Sequence, residues 1–144
     1  MTADSGRWPA LVDPTIADVW TVELSATKHF DPEEWSLLAP DERQRANRLI
    51  QEDDRARWVQ ARSTLRRVLA IYVSTEPGAL VFGKRKGGKP EVIEPKGSDL
   101  RFNASRSGSV AVIAVAVEHE VGVDVERIQD DFAWEAVARA FFSS

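Results

Sequence analysis

The chain has 144 residues, 19 Lys and Arg against 23 Asp and Glu for a formal net charge of −4, with 43% hydrophobic and 29% charged residues. That is enough apolar material for the core of one soluble domain or of two small lobes. Without Cys there is no disulfide, thiolate metal site or thiol nucleophile, and His29 and His119 alone do not make a His-rich zinc site, so any catalysis must run on carboxylates, hydroxyls, Lys/Arg or a hard metal.

Residues 1–16, punctuated by Gly6, Pro9 and Pro14, read as a loose lead-in with Trp8 and Leu11 tacked onto the body, and the domain proper is expected over 17–144. From Ala17 to Leu24 the residues alternate, so Val19, Thr21 and Glu23 share one face of a strand and Trp20, Val22 and Leu24 the other. Asp31 before Pro32, Glu33 and Glu34 marks a short helix with Pro at its first position and acids in its first turn, ending near Ala39-Pro40. Asp41 almost to Val73 is helical by the three- and four-residue spacing of Leu49, Ile50, Trp58, Ala61, Leu65, Val68, Leu69 and Tyr72. Glu52-Asp53-Asp54 marks a break between two helices. After Ser74–Gly78 the period becomes two: Leu80-Val81-Phe82, a Gly/Lys/Pro-rich turn, Glu91-Val92-Ile93, Leu100-Arg101-Phe102 and the apolar strand Val110 to Val117. A turn at His119-Glu120, a last strand from Val121 to Val125 and a helix from about Asp131 to Phe142 follow. The predicted fold class is α+β: helices packed on a small antiparallel sheet, with no internal repeat.

Charge is unevenly spread. Residues 1–42 carry two basic and nine acidic groups, 43–106 fifteen and seven, and 107–144 two and seven. A basic middle suits phosphate, nucleotide or nucleic acid, or is a solvated helix face. Nucleic acid is the least favoured of these, because the ends are acidic and no aromatics interleave the Lys-rich turn. Val110 to Val117 is far shorter than the ~20 residues of a membrane-spanning helix, and the amino terminus lacks a basic region followed by an apolar one. The expectation is a cytoplasmic protein without a membrane partner.

Three constellations carry chemistry. In Gly122-Val123-Asp124-Val125-Glu126, residues two apart point the same way, so Asp124 and Glu126 share a side. Such a pair either faces solvent at a strand end or holds a cation, and Mg²⁺ takes one or two carboxylates plus water and phosphate oxygens. Gly87-Gly88-Lys89-Pro90 is a turn whose glycines permit close approach of a ligand while Lys84, Lys86 and Lys89 offer positive charge; it is not a Walker loop. Phe102 to Gly108 is expected as the polar connection before the apolar strand, placing Ser105 and Arg106 where they could grip a phosphate. Of the helical arginines, mostly a solvated face, Arg62 lies nearest the buried stripe, four residues after Trp58 and three before Leu65.

The order DERQRANR, ARSTLRRVLAIY, GGKP, RFNASRSG, VGVDVE, ARAFFS resembles the amino-terminal half of the surfactin-synthetase-activating (Sfp-type) 4'-phosphopantetheinyl transferases over roughly residues 17–144. The resemblance implies one α+β lobe of a two-lobed fold whose cleft binds coenzyme A and Mg²⁺. There a serine of an acyl or peptidyl carrier protein, serving fatty acid, polyketide or nonribosomal peptide synthesis, attacks the β-phosphate. It implies that Asp124 and Glu126 are Mg²⁺ ligands, that Gly88, Lys89 and Pro90 line the adenine and phosphate end of coenzyme A, and that Ser105 and Arg106 meet its 3'-phosphate with Arg45 and Arg62. Two departures stand out. Arg106 occupies the place of the family's usual His, so phosphate binding survives but a neutral imidazole is lost. The family's Trp-x-x-Lys-Glu helix has no counterpart in these residues, since Trp134-Glu135 lacks the Lys-Glu pair. General acid and base are therefore expected from a second half, on a complementary chain or a second copy, with Glu126 as the fallback base and little activity from this chain alone. The alternative is a non-catalytic module of the same fold that binds coenzyme A or a carrier protein.

Overall fold

A computed structural model describes residues 13–25, 27–128 and Arg139. In order they form β1 (Asp18–Glu23), α1 (Pro32–Ser36), α2 (Pro40–Asn47), α3 (Glu52–Val73), a 3₁₀ turn (Pro77–Ala79), β2 (Val81–Lys84), β3 (Pro90–Glu94), β4 (Leu100–Ser107) and β5 (Val110–Val117). The class is α+β, but the strands make two antiparallel sheets: a three-stranded one in the order β1-β5-β4, and the β2-β3 hairpin. No helix among the described residues is long and apolar enough to cross a membrane.

Local chemistry accounts for the elements. In β1 the burial alternates residue by residue, with Val19, Thr21 and Glu23 on the exposed side. The N-cap Asp31 of α1 takes the Glu33 N–H at 2.9 Å, and Glu34 returns to the Asp31 N–H at 3.1 Å. The acidic run is the first turn of α3, where its charge favours the helix N-terminus, and the break lies just before it in residues 48–51. Helix α3 ends at Ser74, which takes the left-handed conformation (φ 52°).

The main core lies between α3 and both sheets: Leu65, Val68 and Leu69 pack on Leu80, Val92, Leu100, Phe102, Ile113 and Val115. Burying each such side chain is worth about 1.5–3 kcal/mol relative to exposure. A smaller cluster of Leu38, Ala46 and Val59, flanked by Phe30, Trp35 and Trp58, ties α1 and α2 to α3. Trp20 donates to the Tyr72 hydroxyl at 3.0 Å, and that hydroxyl donates to Asp18 at 2.6 Å, pinning β1 to the end of α3.

Two expectations are corrected. Asn103 to Ser107 is not a loop: β4 pairs with β5 over its full length, from Leu100↔Val117 to Ser107↔Val110, because alternation lets polar residues occupy the side of a strand turned away from the core. Residues 121–125 form no strand, and how they are held instead is described below. The lead-in through residue 12 and the helix expected from Asp131 to Phe142, Trp134 and Glu135 included, fall outside the described residues apart from Arg139, which is helical.

Candidate functional site

A cavity of about 490 Å³ opens where α2, α3, the β2-β3 hairpin and β4 meet. Its floor is apolar: Trp58, Ala61 and Leu65 from α3, Phe82 from β2, and Ala111 and Ile113 from β5. The space exists because small residues, Ala61, Gly83, Ala104 and Ala111, face it. At Gly83 a Cβ would stand 2.2 Å from Ile93 Cδ1, so a larger residue there requires the exposed Ile93 side chain to move. Gly87 and Gly88 turn the hairpin with successive positive φ values of 93° and 82°, a geometry that suits glycine. That turn brings Gly88 and Pro90 to the cavity rim.

One wall is charged. Glu42 of α2 is only 4% exposed, and its carboxylate accepts from Arg62 Nε at 2.5 Å, Arg66 Nε at 2.8 Å and the Ala39 N–H at 2.8 Å. Both guanidiniums lie over the Phe82 ring, 4.7 Å and 5.0 Å from its centroid. Arg66 is 1% exposed and also donates to the Pro77 and Leu80 carbonyls, so it belongs to the interior, not to the solvated face that the spacing of the helical arginines suggests. Arg45, exposed, stands at the same cavity.

The opposite wall is β4. Arg106 donates to Asp54 in the first turn of α3 at 2.8 Å, tying strand to helix beside the cavity. From the other side of the same strand, Asn103 Oδ1 accepts from the Val123 N–H at 3.0 Å, Ser105 Oγ from the Val125 N–H at 3.2 Å, and Ser107 Oγ from the Arg127 N–H at 3.2 Å. Residue numbers rise together with a constant offset, so 121–127 runs parallel to β4 and is held by its side chains. Residues 123, 125 and 127 turn their amides to β4, and Asp124 and Glu126 are exposed. Asp124 Oδ1 additionally accepts from Ser105 Oγ at 2.9 Å.

At the start of this segment, Glu120 gathers three cations: Arg85 through two hydrogen bonds, Lys89 at 3.2 Å and Arg101 at 3.7 Å. The hydrogen bonds from Arg85 and Lys89 hold its carboxyl at about 2, below the ordinary 4.5.

The cavity thus gathers Arg45, Arg62, Gly88, Pro90, Ser105 and Arg106. Lys89 stands outside it on Glu120, and Asp124 joins it only through Ser105. Sequence reasoning passed over Glu42, Asp54, Asn103 and Glu120. For Glu42 a signal existed: an acid three residues after Ala39, at the N3 position that reaches back to a helix N-cap. No group of three or more His, Cys, Asp or Glu able to hold a metal occurs among the described residues. As a donor set, two exposed carboxylates on one side of a short extended segment fit a hard cation that completes its shell with water and phosphate oxygens.

Residues 26–118 match the family described as 4'-phosphopantetheinyl transferase, N-terminal. The chain is 31% identical over 125 residues to the 4'-phosphopantetheinyl transferase HetI of Nostoc sp., covering 86% of this chain and 53% of that protein. It is 35% identical over 89 residues to the 4'-phosphopantetheinyl transferase AcpT of Salmonella typhi, covering 62% and 42%. To the 4'-phosphopantetheinyl transferase of Bacillus subtilis it is 27% identical over 108 residues, covering 75% and 46%. The chain spans about half the length of the curated relatives it matches.

Proposed function

The chain belongs to the 4'-phosphopantetheinyl transferase family, and on that premise we propose that residues 17–144 are the amino-terminal lobe of an enzyme moving phosphopantetheine from coenzyme A to a serine of an acyl or peptidyl carrier protein in the cytoplasm. The observation that carries this reading is the junction at Ser105, where a cavity with an apolar floor and an arginine rim meets the segment bearing Asp124 and Glu126. A nucleotide ending in phosphates has that division of character: a flat apolar base and a charged tail.

In this reading the base lies on the floor, with Gly88 and Pro90 beside it. Arg45, Arg62 and Arg106 hold phosphate oxygens, the forked guanidiniums taking two at once. Lys89 reaches the same phosphates after leaving Glu120. Asp124 and Glu126 would hold Mg²⁺, which when bound supplies charge neutralisation of the diphosphate. Ser105 orients the Asp124 carboxylate by donating to it. In the transfer, the carrier serine oxygen bonds to the β-phosphorus of coenzyme A, the bond to the bridging oxygen breaks, and adenosine 3',5'-bisphosphate leaves. The base that takes the serine proton and the acid that serves the leaving oxygen are assigned to a second lobe, from further residues, a complementary chain or a second copy. Glu126 is the fallback base.

The test mixes the protein with coenzyme A, Mg²⁺ and an apo carrier protein and weighs the carrier by mass spectrometry. A gain of one phosphopantetheine, here or after adding the complementary half, supports the assignment. Coenzyme A binding with no transfer under either condition identifies a binding module instead, and absence of both overturns the reading.

A further inference from the structure

Arg62 and Arg66 sit four residues apart on one face of α3 and share one buried glutamate, yet they end differently. Arg66 spends a terminal nitrogen on two backbone carbonyls and is closed off from solvent. Arg62 gives Glu42 only its Nε–H, which leaves its terminal nitrogens without a hydrogen-bond acceptor among the described residues, on a side chain 27% exposed at the cavity. Two arginines and one carboxylate leave this wall with one uncompensated positive charge, and Phe82 under both guanidiniums restricts them from the other side.

We propose that Glu42 is a positioning residue: it fixes Arg62 through Nε so that the terminal nitrogens point together at an anionic oxygen pair of the ligand. A long arginine side chain loses rotamer freedom when it binds, and Glu42 removes that cost beforehand. Glu42 touches no ligand in this account. The inference deepens the coenzyme A reading and rests on it.

The test measures binding of adenosine 3',5'-bisphosphate and of coenzyme A by calorimetry to the whole protein and to Glu42→Gln, Arg62→Ala and the double variant, with folding checked by circular dichroism. Glu42→Gln should weaken binding about tenfold when Arg62 is present and less than twofold in the Arg62→Ala background. An equal loss in both backgrounds would mean that Glu42 merely supports the fold, and no loss in the folded single variant would remove its role; either overturns the inference. Should Glu42→Gln fail to fold, Arg62→Lys keeps the charge but loses the Nε–H donor, and must bind nearly as poorly as Arg62→Ala; binding like the unaltered protein overturns the proposal. Absence of binding by the unaltered protein overturns the coenzyme A reading and this inference together, whereas normal binding without the coupling overturns this inference alone.

Discussion

The two sides of β4 are built on different physics. Leu100 and Phe102 are each 5% exposed in the core, and the same side then passes through Ala104 to Arg106 at the cavity. The other side carries Arg101, Asn103, Ser105 and Ser107, and every one of them reaches the chain between 120 and 127. One side is held by many non-directional contacts whose energies add. The other is held by a few directional bonds worth about 1 kcal/mol each. The strand therefore fixes the fold with one set of residues and the placement of Asp124 and Glu126 with the alternate set, and the two can be perturbed separately.

The largest effect should come from the core side. Phe102→Ala should cost about 3–5 kcal/mol of stability, read as a lower midpoint in urea unfolding. A loss below 1 kcal/mol would mean that this side is not the structural one. At the far end of the same side, Arg106→Ala should leave the fold intact while weakening coenzyme A binding roughly tenfold, as expected for one charged contact of about 1.5–3 kcal/mol. The loss should vanish for dephospho-coenzyme A, and equal losses for both ligands would show that Arg106 does not meet the 3'-phosphate.

On the other side, Asn103→Ala should cost about 1 kcal/mol. Its signature is local: the Val123 amide should exchange with deuterium faster while the amides of β5 keep their protection. Uniform loosening of both would erase the distinction between the two sides. The smallest effect concerns Glu120, whose pKa is lowered in the folded chain from 4.5 to about 2. Its contribution is present above 4.5 and is lost as the pH falls toward 2. Because the group is exposed, Glu120→Gln should lower stability only slightly at neutral and alkaline pH, and the variant and the unaltered protein should converge as the pH falls toward 2; a difference that appears only at the acid end would contradict the assignment.

Much of this was legible in the sequence where a pattern has one physical cause. The alternation of Trp20 and Val22 with Val19, Thr21 and Glu23 could only be a half-buried strand, and Asp31-Pro32-Glu33-Glu34 could only begin a helix. Asn103 to Ser107 misled because polar residues around a Gly favour turns, whereas here the Gly108-Ser109 step alone makes the turn and the polar side chains have backbone amides to bind. The residues placed in the cavity were legible as residue types suited to phosphate. Their partners were not: Glu42 meets Arg62 across 20 positions and Asp54 meets Arg106 across 52, and no local period reports such pairs. The last strand was expected from Val121, Val123 and Val125, but a segment can be extended without a ladder when a neighbour's side chains take its amides.

The clamp on residues 121–127 reads peptide nitrogens, which are the same whatever side chain follows them. As far as its hydrogen bonds are concerned, positions 123, 125 and 127 accept any residue except one. Proline has no N–H to give, so a single proline at 125 would unhook the middle rung by removing the N–H that reaches both Ser105 Oγ and Asp124 Oδ1, while proline at the even positions 122 or 126 would leave all three rungs in place.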